Sequence, residues 1–162
     1  MTVGEYFKLF HRYHISTLSF ILLNGGVLLF LYFNRCFFHI DKSVCFFIHL
    51  VAVLFILALV GGGKRSFQKQ LTSLRSLQDK HSRFSGYRKN MVRQYRNAGL
   101  CAVIISIGFV LTGNIYYLIL LILCFLFTLS LVPSRIRLGF DLGFDGDERK
   151  KLCDRNNDHE EI

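Results

Sequence analysis

The side chains of this 162-residue chain that could do chemistry are few and scattered. Cys36 and Cys45 stand nine positions apart, close enough to clip a short hairpin as a disulfide on an oxidising side of a membrane. Two unpaired thiols are the alternative. Cys101 and Cys124 fall in apolar runs, and Cys153 falls near the end of the chain. A thiol-redox centre would need a reactive C-x-x-C pair and a second pair to exchange with it, and neither is present. His49 lies inside an apolar run, where an imidazole must find a partner or a wet cavity. Asn24 and Ser106, polar residues of other apolar runs, are its expected partners in a helix–helix hydrogen bond. The same polar residues with Gly25-Gly26 could instead line a path for an ion. No Asp, Glu, Lys or Arg lies within any of these runs, however, and coupled transport ordinarily needs one. Gly25-Gly26 more simply lets a neighbouring helix approach closely.

Asp145-Gly146-Asp147-Glu148 hints at calcium. It lacks the further ligands at fixed steps and the distal Glu that an EF-hand loop requires. A better use is to start a short helix running to Leu152. The sequence contains no GxSxG, HExxH, P-loop or dinucleotide fingerprint. No catalytic residue, no metal and no cofactor is expected, and the reading is of a protein that is not an enzyme.

The charged residues are more informative. Lys64, Arg65, Lys69, Arg75, Lys80, Arg83, Arg88, Lys89, Arg93 and Arg96 face a single acid, Asp79, so residues 64–96 carry ten minus one, or +9. Residues 134–162 hold six bases and eight acids, a net −2. The chain is nevertheless 52% hydrophobic, and its apolar residues come in uncharged blocks rather than stripes, which points to a membrane protein.

Those blocks define the elements. Residues 14–33 and 43–61 each suffice at ~1.5 Å per residue to cross a hydrocarbon core of ~30 Å. The block from 98 to 132 would make one helix of ~50 Å, too long even when tilted, so it must fold back at Thr112-Gly113-Asn114. The fold class expected is an all-α integral membrane protein: four transmembrane helices in an antiparallel bundle, with a cytoplasmic helical hairpin between spans two and three. The organisation reads as an interfacial segment at 1–13, spans at 14–33, 43–61, 97–112 and 115–132, outer connections at 34–42 and 113–114, the basic hairpin at 62–96 and an acidic tail at 133–162. Near the apolar runs, Lys8, Arg12, the ten hairpin cations, Arg135 and Arg137, fourteen in all, fall on the side of the termini and hairpin, against Arg35 and Lys42 on the other. By the positive-inside rule both termini are expected in the cytoplasm, and size and economy suggest a bacterial inner membrane.

Within the hairpin, Phe67, Leu71, Leu74 and Leu77 share one helical face and Tyr87, Met91 and Tyr95 another. The spacing predicts two arms packed on each other, a turn at 81–86 and a third span whose helix begins near Tyr87. A kink is expected at Gly61-Gly62-Gly63. Val3, Tyr6, Phe7 and Phe10 would lie on the membrane surface. After Pro133, the alternation of Ile136, Leu138, Phe140, Leu142 and Phe144 suggests an extended segment, with a disordered acidic end. The ten hairpin cations are the expected binding surface, for anionic membrane lipid, for another membrane or cytoplasmic protein, for the chain's own tail or for a second copy. Aromatics interleave with them, but no nucleic-acid module is present, so nucleic acid is disfavoured. The function expected is that of a non-catalytic subunit or scaffold. A small oligomeric channel or transporter is the alternative, and a membrane thiol-redox protein the second alternative.

Overall fold

The structure, a computed structural model, describes residues 2–35, 38, 41–77 and 79–153, without the Lys42 side chain. The described residues form α1 (Val3–Phe33), α2 (Lys42–Arg75), α3 (Lys80–Thr112), α4 (Tyr116–Ser130), α5 (Arg135–Asp141) and α6 (Gly146–Cys153). Three of these, α1 to α3, are long and apolar enough to cross a membrane, and α4 with α5 makes a fourth candidate if that bent pair counts as one span. Long apolar helices of this kind mark a membrane-embedded protein. Cys36, His39 and the acidic end from Asp154 onward lie outside the described residues.

Helix α1 starts at a capping box: Glu5 N–H donates to Thr2 Oγ1 (3.3 Å), and Thr2 N–H donates to Glu5 Oε2 (3.0 Å). The segment expected to lie on the membrane surface is therefore the first turns of the first long helix. Its apolar residues Val3, Tyr6 and Phe10, followed by His14, step by three and four and are buried within the protein.

Helix α2 runs through Gly61–Gly63 as continuous helix. Helix α3 begins at Lys80, well before Tyr87, so residues 81–86 are helix and not the expected turn. The reason is Asp79. Its carboxylate accepts from the backbone N–H of His81 (3.2 Å) and Ser82 (3.0 Å) and from the Ser82 hydroxyl (2.6 Å), a complete N-cap. Ser82, Ser85 and Gly86 look like turn residues in sequence, but Gly86 marks a helix crossing: Leu74 of α2 fills the space its Cβ would need. From there Phe84, Tyr87, Met91, Tyr95, Ala98, Ala102, Ile105 and Phe109 form one unbroken buried seam. That seam makes α3 the central helix, packed on α1, α2 and α4. It ends at Gly113, left-handed at φ +62°, whose N–H donates to Phe109 O (2.7 Å).

Helices α4 and α5 meet at 82° across the break that contains Pro133. The segment after Pro133 is helical, not extended: Ser134 Oγ caps it by accepting from Arg137 N–H (3.1 Å). Alternation of two is ambiguous because it contains every i, i+4 pair. Leu138 and Leu142 form the buried pair, while Ile136 and Phe140 are exposed. The predicted short helix to Leu152 is α6.

Two separate cores result. One gathers the start of α1, the end of α2, the start of α3, Leu131 and the tail helices, with Tyr6, Phe10, Phe84, Tyr87, Met91, Leu138 and Leu142 at its centre. The other is smaller, built from Ile21, Leu28, Ala52, Ala102, Ile105, Phe109, Tyr117 and Leu121. Outward from the second core, Leu23, Phe30, Phe46, Phe47, Leu57 and Ile122 stand exposed, as a lipid-facing surface would. Gly25 meets only Leu121 at an ordinary 3.5 Å, and a Cβ on Gly26 would meet nothing, so this pair does not serve the close approach expected of it. That role belongs to Gly108, where the Tyr117 ring occupies the place of a side chain.

Candidate functional site

The ten hairpin cations divide by what they touch. One group holds the chain's own tail. Arg75 donates through Nε to Asp141 O (2.8 Å) and through Nη2 to Phe140 O (3.1 Å), which satisfies carbonyls at the C-terminal end of α5. Lys80 pairs with Glu148 of α6 at 2.8 Å, and its ammonium holds the Glu148 carboxyl below the usual carboxylate range. Arg83 donates to Leu77 O and lies 6.0 Å from the centre of the Phe144 ring. Tyr87 donates to Asp141 Oδ2 (2.9 Å) from the same face. Other tail arginines close helix ends in the same way: Arg137 donates to Ser130 O (2.7 Å) at the end of α4, and Arg135 to Leu152 O (3.3 Å) at the end of α6. The described part of the tail, to Cys153, and the basic hairpin thus form one packed unit.

A second group lines a groove of about 710 Å³ between α2 and α3. Arg88, Lys89, Arg93 and Arg96 come from α3, and Gln70 and Ser73 from α2. Ser85 and the buried Asn90 also face it. Helical spacing explains the grouping. Residues 89, 93 and 96 step by four and three and share an exposed stripe, while Tyr87, Met91 and Tyr95 of the same turns face inward. Arg93 also reaches Ser66 of α2 (Nη1 to Oγ, 3.3 Å). Neither Lys42–Arg75 nor Lys80–Thr112 contains one Asp or Glu, so both walls are free of carboxylates. The remaining cations, Lys64, Arg65 and Lys69, stand exposed on α2 and do not line the groove. Sequence showed that these ten residues were basic and central, but not that one set is spent on the tail while another shares a groove.

The intramembrane polar residues pair differently from expectation. His49 does not meet Asn24 or Ser106. Those two bond each other, Ser106 Oγ to Asn24 Oδ1 at 3.2 Å. The His49 partners are Tyr117 and Asn114, with Nδ1 2.8 Å from Tyr117 Oη and Nε2 3.2 Å from Asn114 Nδ2. Asn114 Oδ1 accepts from Tyr116 N–H (3.1 Å), which turns its amide nitrogen toward the ring. Nε2 is then the acceptor, and Nδ1–H donates to Tyr117 Oη. Both ring nitrogens are engaged, so His49 acts here as a knot between α2, α4 and the turn before α4. Neither partnership is written in local pattern: both join residues far apart in sequence, and Tyr117 becomes a partner because Gly108 admits its ring. Cys45 is half-buried, and the possible pair with Cys36 falls outside the described residues. Cys101 is buried, and Cys124 directs its thiol to Ala98 O at 3.6 Å. No group of three potential metal ligands occurs among the described residues.

Comparison with protein-family models, with characterised proteins and with solved structures gives no match for this sequence.

Proposed function

We propose that this chain is a non-catalytic membrane subunit or scaffold. It crosses the membrane four times as an antiparallel bundle, with both termini and the hairpin in the cytoplasm, and its cytoplasmic helical unit presents cations to an anionic partner. The observation that carries this reading is the groove of α2 and α3: cations gathered on walls that hold no carboxylate. Arg75, Lys80 and Arg83 serve a different end, since they fasten the tail that stiffens the unit. The grouping of the start of α1, the end of α2, the start of α3 and Leu131 into one core supports the four-span arrangement. A bundle with alternating direction puts just those ends together.

Affinity purification from native membranes tests the proposal. Reversing Lys89, Arg93 and Arg96 to Glu should release a co-purifying partner while insertion and the thermal transition are retained. Capture of the same partner by the reversed protein counts against it.

A further inference from the structure

We infer that the groove between α2 and α3 is a headgroup site for an anionic lipid bearing a phosphomonoester; this rests on the membrane-anchored, cytoplasmic reading of the hairpin above. Position is the first argument. Arg96 directly precedes the apolar part of α3, so its end of the groove borders the polar–apolar boundary. Lys89 lies a further ~10 Å along the helix and Ser85 ~16 Å. The potential of an anionic bilayer fades over ~8 Å at physiological salt. A flat charged surface therefore serves Arg96 well and Lys89 poorly. A headgroup that rises from the bilayer into the groove serves both.

The chemistry of the walls is the second argument. Arg93 and Arg96 offer planar guanidinium forks suited to phosphate oxygens, and Lys89 offers a compact point charge. Opposite them α2 contributes Ser73 and Gln70, which are neutral and able to donate. Asn90 is buried at 5% exposure on the same lining and adds an amide. Among the described residues, no acceptor-only side chain lines the groove to repel an anion. The volume, about 710 Å³, falls within the ~300–1,000 Å³ of small-molecule sites. Among the described acids of the tail, Asp141 faces Arg137 and Tyr87, Glu148 faces Lys80 and Asp147 faces Lys150, and none of them lines the groove. Several cations on one short stretch favour a monoester, which carries more charge than a diester.

The test titrates short-chain phosphatidic acid into the full chain in neutral detergent micelles. Two variants remove equal charge: Lys89→Gln/Arg93→Gln/Arg96→Gln in the groove, and Lys64→Gln/Arg65→Gln/Lys69→Gln outside it. The groove triple should weaken binding about tenfold or more and the other about twofold or less. Lys89→Gln alone, at an exposed position, should still weaken it several-fold and guards against misfolding of the triple. Equal losses in both triples would mean diffuse charge and would overturn the site. Phosphatidylglycerol binding as tightly as phosphatidic acid overturns the monoester preference. Displacement of the lipid by inorganic phosphate at similar concentration would show that the groove serves a free anion, not a lipid. Partner capture is read separately. Groove-specific lipid binding with a partner still retained after charge reversal defeats the scaffold reading alone, whereas a lost partner with equal lipid losses defeats the lipid inference alone.

Discussion

A single imidazole shows how little latitude a polar group has in an apolar bundle. His49 receives the Asn114 amide on one nitrogen and gives its proton to Tyr117 on the other. Replacing it by Leu strands a phenol and an amide that lipid cannot satisfy. The expected cost is about 1–2 kcal/mol, since helix–helix polar bonds in membranes are individually modest and two are lost together. We predict a lower thermal midpoint for His49→Leu in detergent, with phosphatidic acid binding unchanged. An unaltered midpoint would show that the knot does not support the bundle. Asn24 and Ser106 illustrate the limit of reasoning from residue type. Both were evident as intramembrane polar groups, but which polar group meets which depends on helix rotation, and a one-dimensional pattern does not report that.

At the scale of elements, the tail helices are held to the hairpin by contacts of unequal worth. Lys80–Glu148 joins side chains 63% and 39% exposed, so water and salt screen it and it is worth under ~1 kcal/mol. Arg75 closes carbonyls at the end of α5, and the Phe144 ring packs on Phe84 with centroids 5.7 Å apart, so the docking as a whole does not hang on the ion pair. The Glu148 carboxyl is held below its ordinary range chiefly by Lys80. Its contribution is then complete above the unfolded value of ~4.3 and is lost as pH falls through the lower folded value. A nitroxide on Cys153, in a background without the other cysteines, should gain mobility across that acidic window. In Glu148→Gln it should be more mobile at neutral pH and lose the pH response. An identical profile in both proteins would show that the pair does not tether α6. The Lys80 start of α3 also explains why the turn was misplaced from sequence. In sequence Gly86 reads as a turn residue, whereas its missing Cβ makes room for Leu74.

For the whole molecule, the proposed topology puts Cys153 and the hairpin on one face of the membrane and Asn34 on the other. A membrane-impermeant maleimide should label Cys153 only from the cytoplasmic side. It should label Asn34→Cys, in a chain without other cysteines, only from the opposite side. Labelling of both from one compartment would sink the four-span arrangement. That the chain forms long apolar helices was legible because uncharged blocks of sufficient length are a local property, as was the positive bias of the hairpin. The mutual packing of the Tyr87, Met91 and Tyr95 stripe with Phe67, Leu71 and Leu74 was legible for the same reason: helical period is written in neighbouring residues. The fate of Val3, Tyr6 and Phe10 was not. An amphipathic stripe suits a lipid surface and a protein surface equally, and only the presence of Phe84, Tyr87 and the tail against it decides for protein. The division of the cations is of the same kind. Composition and order alone determined that this chain is helical, apolar in blocks and strongly basic at its centre. Tertiary structure decided which charges fasten the tail and which line an open groove, because charge is a property of a residue but its counter-charge belongs to whatever the fold brings near.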